Sequence, residues 1–254
     1  MRCFRIGNRS RSGGEPIPVG TAGNPSPLSS GRLQAVSPWL DPLAFDWRPL
    51  RPHATEIQVR KHQVIHHQGE PARHVFVVRA GRVRLFLCSP DGRDKALAIL
   101  GRNGLLGEFT ADERRRHELA AVAVTPVRLW RLDAGRFLDL TGADAGLRRQ
   151  VLEFMSLQVR LLATQSYLLA YASPLQRICS AFLHLGFTYG RPLPGGAVEI
   201  TVPFTQQELA ELVGVSRVTV ALNLGRLRRL GLIDRDGRRY RVLDPDALSD
   251  LLTG

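Results

Sequence analysis

Between residues 38 and 140 short apolar runs alternate with turn residues. The runs include Val75-Phe76-Val77-Val78, Val83-Arg84-Leu85-Phe86-Leu87, Ala96-Leu97-Ala98-Ile99-Leu100 and Val127-Arg128-Leu129-Trp130. Gly69, Gly81, Asp91-Gly92 and Asn103-Gly104 punctuate them. This length and spacing predict an all-β sandwich or barrel. Asp91-Gly92 predicts a hairpin, because a tight type I′ turn needs positive φ and these residues tolerate it. From 141 to 173 the period changes. Leu147, Val151, Phe154, Leu157, Leu161 and Leu168 recur at three- and four-residue steps and predict one long amphipathic helix. Leu152, Met155, Leu162 and Leu169 give it a second apolar face, for which a helix from a second copy of the chain is the economical cover. After Pro174, which suits the first turn of a helix, the pattern reads helix, hairpin, helix, helix, hairpin.

The segment Gln206 to Leu230 constrains the reading most. A helix-turn-helix needs a small residue in its first helix, a residue tolerant of positive φ in the turn, and an apolar residue where the second helix packs back. Ala210, Gly214 and Val220 occupy those places. Leu209, Leu212 and Val213 supply the buried face of the first helix, Val215 plugs the turn, and Ser216 suits the N-cap of the second. Asp234 to Tyr240 reads as a two-stranded wing with its tip at Gly237.

Charge gains meaning once it has a location. The 254 residues carry 35 basic and 23 acidic side chains, net +12, with pI near 10.9. An excess of this size suits a polyanion partner, although a GC-rich genome would also favour Arg, and only Lys61 and Lys95 are lysines. Between Ser216 and Arg241 stand eight arginines against Asp234 and Asp236, which is half of the whole excess. Arg217 falls at the start of the second helix, where base edges in the major groove are met. Ser216 and Thr219 can donate to phosphate. Arg226 and the wing arginines Arg238 and Arg239 are placed to meet flanking phosphates. Residues 1–37, rich in Gly, Pro, Ser and Arg, read as a disordered basic tail. No run approaches a membrane span, and the basic N-terminus lacks the apolar core of a secretory signal. Cys3, Cys88 and Cys179, odd in number and widely spaced, fit a reducing cytoplasm.

These residues resemble the cyclic-AMP-receptor/fumarate-nitrate-regulator (Crp/Fnr) family. The resemblance rests on His67-Gln68-Gly69-Glu70, Gly107-Glu108-Phe109, Thr205-Gln206-Gln207-Glu208-Leu209-Ala210 and Val215-Ser216-Arg217-Val218-Thr219-Val220. Ala121 to Val127 and Arg217 to Val220 are similar to the cyanobacterial global nitrogen regulator, a branch that responds to 2-oxoglutarate. The implied fold is α+β: a double-stranded β-helix (jelly-roll) sensor over 38–140, a dimerisation helix over 141–173 and a winged helix-turn-helix over 174–254. The implied function is transcription regulation, with double-stranded DNA, a second copy of the chain and RNA polymerase as partners. Thr205, Gln207 and Val218 join Arg217 as implied DNA contacts, Arg217 reading guanine and Val218 a thymine methyl. The family's usual arginine is replaced by Leu222, which implies an altered target site.

The implied effector is a small molecule in the β-roll, 2-oxoglutarate or a cyclic nucleotide. Gly107, Glu108 and Phe109 match the cyclic-nucleotide pattern. The phosphate grip falls near Arg116 and His117, and the neighbouring Glu118 carboxylate opposes a phosphate, which disfavours cyclic AMP. Arg160 matches the nitrogen regulator's carboxylate-binding arginine, while Gln165 replaces its glutamate. A regulator with no effector is the alternative within the family. Outside it, His62, His66, His67, Glu70 and His74 could form a cupin-like metal site of an enzyme, although adjacent His66 and His67 would point to opposite faces of a strand.

Overall fold

The computed structural model describes residues 38–41, 43–89, 94–108, 114–237 and 239–252. Nine strands build its first half. They are β1 (Trp39–Leu40), β2 (Thr55–Val59), β3 (Val64–His66), β4 (His74–Ala80), β5 (Val83–Cys88), β6 (Asp94–Leu100), β7 (Leu105–Leu106), β8 (Ala120–Ala123) and β9 (Val127–Asp133). They sort into a five-stranded sheet, order β1-β6-β5-β8-β3, and a four-stranded sheet, order β2-β9-β4-β7. Alternation decides which face turns inward. In β9, Val127 and Leu129 are buried on one face while Arg128, between them, is exposed on the other. The two inner faces share a core that includes Trp47, Val75, Val77, Leu85, Leu100 and Leu129. β5 and β6 pair antiparallel, as a hairpin requires. Its expected turn, Asp91-Gly92, lies outside the described residues, as does the 1–37 tail.

β9 leads into α1 (Ala134–Ala143), which the sequence pattern did not separate from its surroundings. The long helix starts at Ala145 rather than at 141 and runs to Tyr171 as α2. Asp144 makes the break. Its carboxylate accepts the backbone N–H groups of Gly146 and Leu147 at 2.7 and 3.0 Å, satisfying donors that the first turn leaves open. One face of α2 (Leu147, Phe154, Leu161) is buried in the β-roll core. The second apolar face is open: Leu152, Met155, Val159, Leu162 and Leu169 are between 44% and 65% exposed in the single chain.

The C-terminal part comprises α3 (Pro174–Tyr189), β10 (Gly190–Pro192), β11 (Val198–Ile200), α4 (Gln206–Val213), α5 (Arg217–Arg229), β12 (Ile233–Asp236), β13 (Arg239–Val242) and α6 (Pro245–Asp250). Its strands form one sheet, order β10-β11-β13-β12. A capping box between Ser173 and Gln176 starts α3. Phe182, Phe204 and Tyr240 pack with ring centroids 5.0 to 5.8 Å apart at the centre of a second core. Trp39, Ala96 and Ile99 of the five-stranded sheet belong to this core too, so β6 is shared between the two halves. The terminal α6 extends the predicted order of elements. Asp244 caps it and Pro245 opens it.

Candidate nucleic-acid interface and effector site

The helix-turn-helix is built as its packing requirements predict. Ala210 and Val220 are buried at the crossing of α4 and α5. Gly214 sits at φ +69, a left-handed conformation that side chains with a Cβ resist by about 1–2 kcal/mol. Thr205 caps α4 and forms a capping box with Glu208, so its hydroxyl is already bonded, to the Glu208 N–H. Ser216 caps α5: its Oγ accepts the Thr219 N–H at 3.0 Å and lies 2.8 Å from the Thr219 hydroxyl. One of those two hydroxyls therefore donates to the other. One O–H remains for an outside acceptor.

Arg217, Val218, Leu222 and Arg226 are exposed on α5, with Val218 and Leu222 at 68% and 69%. An apolar pair this exposed, four residues apart on a helix and flanked by arginines, is unusual for a surface that meets only water. Gln207 is exposed near the start of α4, but its amide donates to Glu211 Oε1 at 3.0 Å.

The wing arginines are less free than the charge count suggests. Glu199 of β11 is buried, with 4% exposure. Its carboxylate gathers Arg191 (2.8 Å), Arg239 (3.3 Å) and Arg241 (3.8 Å). Arg241 also binds Asp236. Arg239 is thus part of an internal ion cluster as well as the wing, and Arg238 lies outside the described residues. Glu199 was hidden because it sits between Val198 and Ile200 and reads as an ordinary strand residue. Register brings the arginines to it, since Glu199 pairs across from both Arg191 and Arg241.

In the β-roll, Gly107 takes φ +113, and a Cβ there would meet the His74 carbonyl oxygen at 2.8 Å. Glu108 pairs with Arg115 at 3.6 Å and accepts the Glu118 N–H at 3.2 Å. Arg116 donates to the Gly69 carbonyl at 2.8 Å. The His117 ring is buried and stacks on His66, centroids 3.7 Å apart. Burial pushes the pKa of both histidines down, that of His66 to about 4, with His117 adding to the effect. Phe109 lies outside the described residues.

The two helix positions diverge. Arg160 is exposed on α2. Gln165 is buried, donates to the Leu97 carbonyl and accepts from Lys95 Nζ. The histidine-rich segment does not form the two-residue alternation a cupin site needs. β3 spans only Val64–His66, and His62 lies before it at φ +66. Among the described residues no three His, Cys, Asp or Glu side chains are grouped to hold a metal ion. Among the described residues no helix is long and apolar enough to cross a membrane.

Sequence reading missed a polar contact between the β-roll and the first helix of the motif. Lys95 Nζ of β6 donates to the Leu212 carbonyl at 2.8 Å and to the Ala96 carbonyl at 2.7 Å. Arg84 of β5 pairs with the Glu211 carboxylate. Arg177 donates to the Val213 and Gly214 carbonyls at 3.0 and 3.2 Å. Three cations thus gather at the C-terminal end of α4, where the helix presents unsatisfied carbonyls. Burial, with Arg177 nearby, pushes the Lys95 pKa down to about 8.

A strand-roll joined by a long helix to a helix-turn-helix and hairpin is the architecture of a DNA-binding regulator with an attached ligand-binding-type domain. Two family models match: the cyclic nucleotide-binding domain over residues 56–144 and the Crp-like helix-turn-helix domain over 176–251. The chain is 30% identical over 196 residues to the global nitrogen regulator of Synechococcus elongatus, covering 76% of this chain and 87% of that one. It is 26% identical over 182 residues to the CRP-like cAMP-activated global transcriptional regulator of Mycobacterium tuberculosis, covering 72% and 81%. In fold it is similar to a CooA mutant from Carboxydothermus hydrogenoformans, with TM-score 0.71 at 18% identity over 84% of this chain and 93% of that one. The chain belongs to the Crp/Fnr family of transcription regulators.

Proposed function

We propose that the chain binds an inverted-repeat DNA site as a homodimer, with α5 in the major groove. The observation that carries this is the exposed Arg217–Val218–Leu222–Arg226 face beside a free hydroxyl at the helix N-cap. The open stripe Leu152, Met155, Val159, Leu162, Leu169 supports the dimer. Its successive steps of three, four, three and seven residues are those of a helix seam with period 3.5. Two-fold symmetry then spaces the half-sites by one turn of DNA, ~34 Å.

Arg217 reads guanine, while Val218 and Leu222 favour thymine methyls, so the preferred site is altered from that of a recognition helix with arginine at both the 217 and the 222 positions. Arg217→Ala is expected to lose about 1–3 kcal/mol of specific affinity while non-specific binding persists. Selection from randomised duplexes, followed by titration of the selected site at two salt concentrations, checks this. Unchanged affinity of the variant for that site would overturn the assignment.

The β-roll reading favours an effector other than cyclic AMP. Glu108 and Arg115 already neutralise one another, Arg116 is committed to Gly69, and Gln165 to β6. Of the exposed cations on α2, Arg149 pairs with Glu153 and Arg148 donates to the Gly142 carbonyl, which leaves Arg160, in the middle of the helix, as the one suited to an acidic ligand such as 2-oxoglutarate. Saturating cyclic AMP is expected to leave the thermal midpoint unchanged. A ligand at 100 times its Kd would instead contribute about 2.7 kcal/mol, readily seen as a rise; such a rise with cyclic AMP would sink this reading.

A further inference from the structure

Four arginines converge away from both regions described above. Arg51 comes from a 3-10 turn (Arg48–His53), Arg79 from β4, Arg102 from the loop after β6, and Arg128 from β9. With Glu56 and Trp130 they line a concavity of about 520 Å³ on the four-stranded sheet. The guanidinium of Arg79 lies over the Trp130 ring, 3.9 Å from its centroid, and donates to Asn103 Oδ1 at 3.3 Å. Asn103 is itself fixed: its amide donates to the Leu43 carbonyl, and its own carbonyl accepts the Trp47 indole N–H. Arg79 is therefore held in place before any ligand arrives.

The charge there is out of balance. Glu56 is the sole carboxylate among the lining residues, and Arg128 pairs with it at 3.8 Å. Asp46 lies near enough to feel Arg79, but its carboxylate is bound by Arg48. Burial pushes the Arg79 pKa down, and Arg102, Arg128 and Arg51 push it further, against the pull of Glu56. A surface arginine usually relieves such repulsion by swinging into water. The stack on Trp130 and the bond to Asn103 prevent this for Arg79.

We propose that this concavity binds a small polyphosphorylated ligand, with Arg51, Arg79 and Arg102 as its phosphate-binding residues. Guanidinium forks match phosphate oxygens in pairs, and among the described residues no carboxylate is paired with Arg51, Arg79 or Arg102. The volume falls within the range of metabolite pockets and exceeds what a single phosphate needs. Concavity argues for a small molecule over the flat face of an acidic protein. The ligand would be distinct from any effector at Glu108.

The test is calorimetric titration of the full chain at low salt with inorganic tripolyphosphate and, separately, ATP. One site per chain is expected, weakened at least tenfold in Arg79→Gln/Arg102→Gln and unaltered in Arg217→Ala. Equal binding of the two probes assigns recognition to the phosphates alone. Tighter ATP binding adds a base stacked on the guanidinium plane. Either result upholds the site. Because Arg102 is exposed, Arg102→Gln alone serves if the double variant is misfolded, with at least a threefold weakening expected. No binding, binding undiminished in these variants, or binding lost in Arg217→Ala would overturn the proposal. So would a defect of the double variant confined to long duplex DNA, which would make the patch a DNA contact.

Discussion

Acidification from pH 7 to pH 4 is expected to remove about 6 kcal/mol of folding stability through two histidines alone. His66 and His184 both have pKa values pushed down from 6.5 to about 4. Burial is the main cause for each; for His66 the stacked His117 adds to it, against the pull of Glu70. Both rings are therefore neutral in the fold at pH 7. As pH falls below 6.5 the unfolded chain takes up two protons that the folded chain refuses until pH approaches 4. Their contribution is fully present above pH 6.5 and is lost across that window. Each fall from 6.5 to about 4 corresponds to about 3 kcal/mol. His117, shifted in the same direction, adds to the loss. Against a domain stability of roughly 5–15 kcal/mol, this brings the protein close to unfolding near pH 4. Urea titrations at pH 7.5, 5.5 and 4.5 check it. The variant His66→Phe/His184→Phe is expected to flatten the dependence, because it removes both proton-binding rings and keeps aromatic volume. A slope as steep in that variant as in the natural chain would defeat the explanation.

His66 also shows what a sequence conceals. In the sequence His66 is one of a cluster of metal-ligand types, because proximity along the chain is all that can be read there. Its environment is set by His117, which β3–β8 pairing and the adjoining segment bring to it across the sheet. The helix-turn-helix was legible for the opposite reason. Ala210, Gly214, Ser216 and Val220 meet one another within eleven residues, so their spacing alone encodes the packing. The two apolar faces of α2 were legible as well, since helical period puts Phe154 and Met155 on different sides without reference to any partner. What covers the second side is not encoded in that period. The α1–α2 break was written in Asp144, a cap signal obscured by continuous apolar spacing on both sides of it. Glu199, Lys95 and Arg84 act through register and long-range contact, and a charged residue in a strand carries no mark of which cation it will meet.

Arg84→Met is expected to cost about 3–5 kcal/mol, towards the lower end because both partners keep a rim of water. The Arg84 and Glu211 side chains are 17% and 13% exposed, so the pair is largely desolvated. Removing the guanidinium strands the Glu211 carboxylate in that setting, with the Gln207 amide as its remaining side-chain partner. Asp94, 3.5 Å from Arg84, also loses its cation, at less cost because it is more open to water. Arg84→Met/Glu211→Gln should recover most of the loss, since no charge is then buried without a partner, and packing of the Met on Phe86 replaces the stacked guanidinium. Urea unfolding of the single and double variants measures the difference. Equal stability of the two would show that the carboxylate finds water and that the pair contributes little. The pair also has a positional role. Glu211 lies in the last turn of α4, where Lys95 holds the carbonyl of the next residue. Arg84 and Lys95 therefore fix from β5 and β6 the helix that α5 packs against. Loosening that support should weaken specific DNA binding in the single variant more than non-specific binding, because only the former depends on where Arg217 is held.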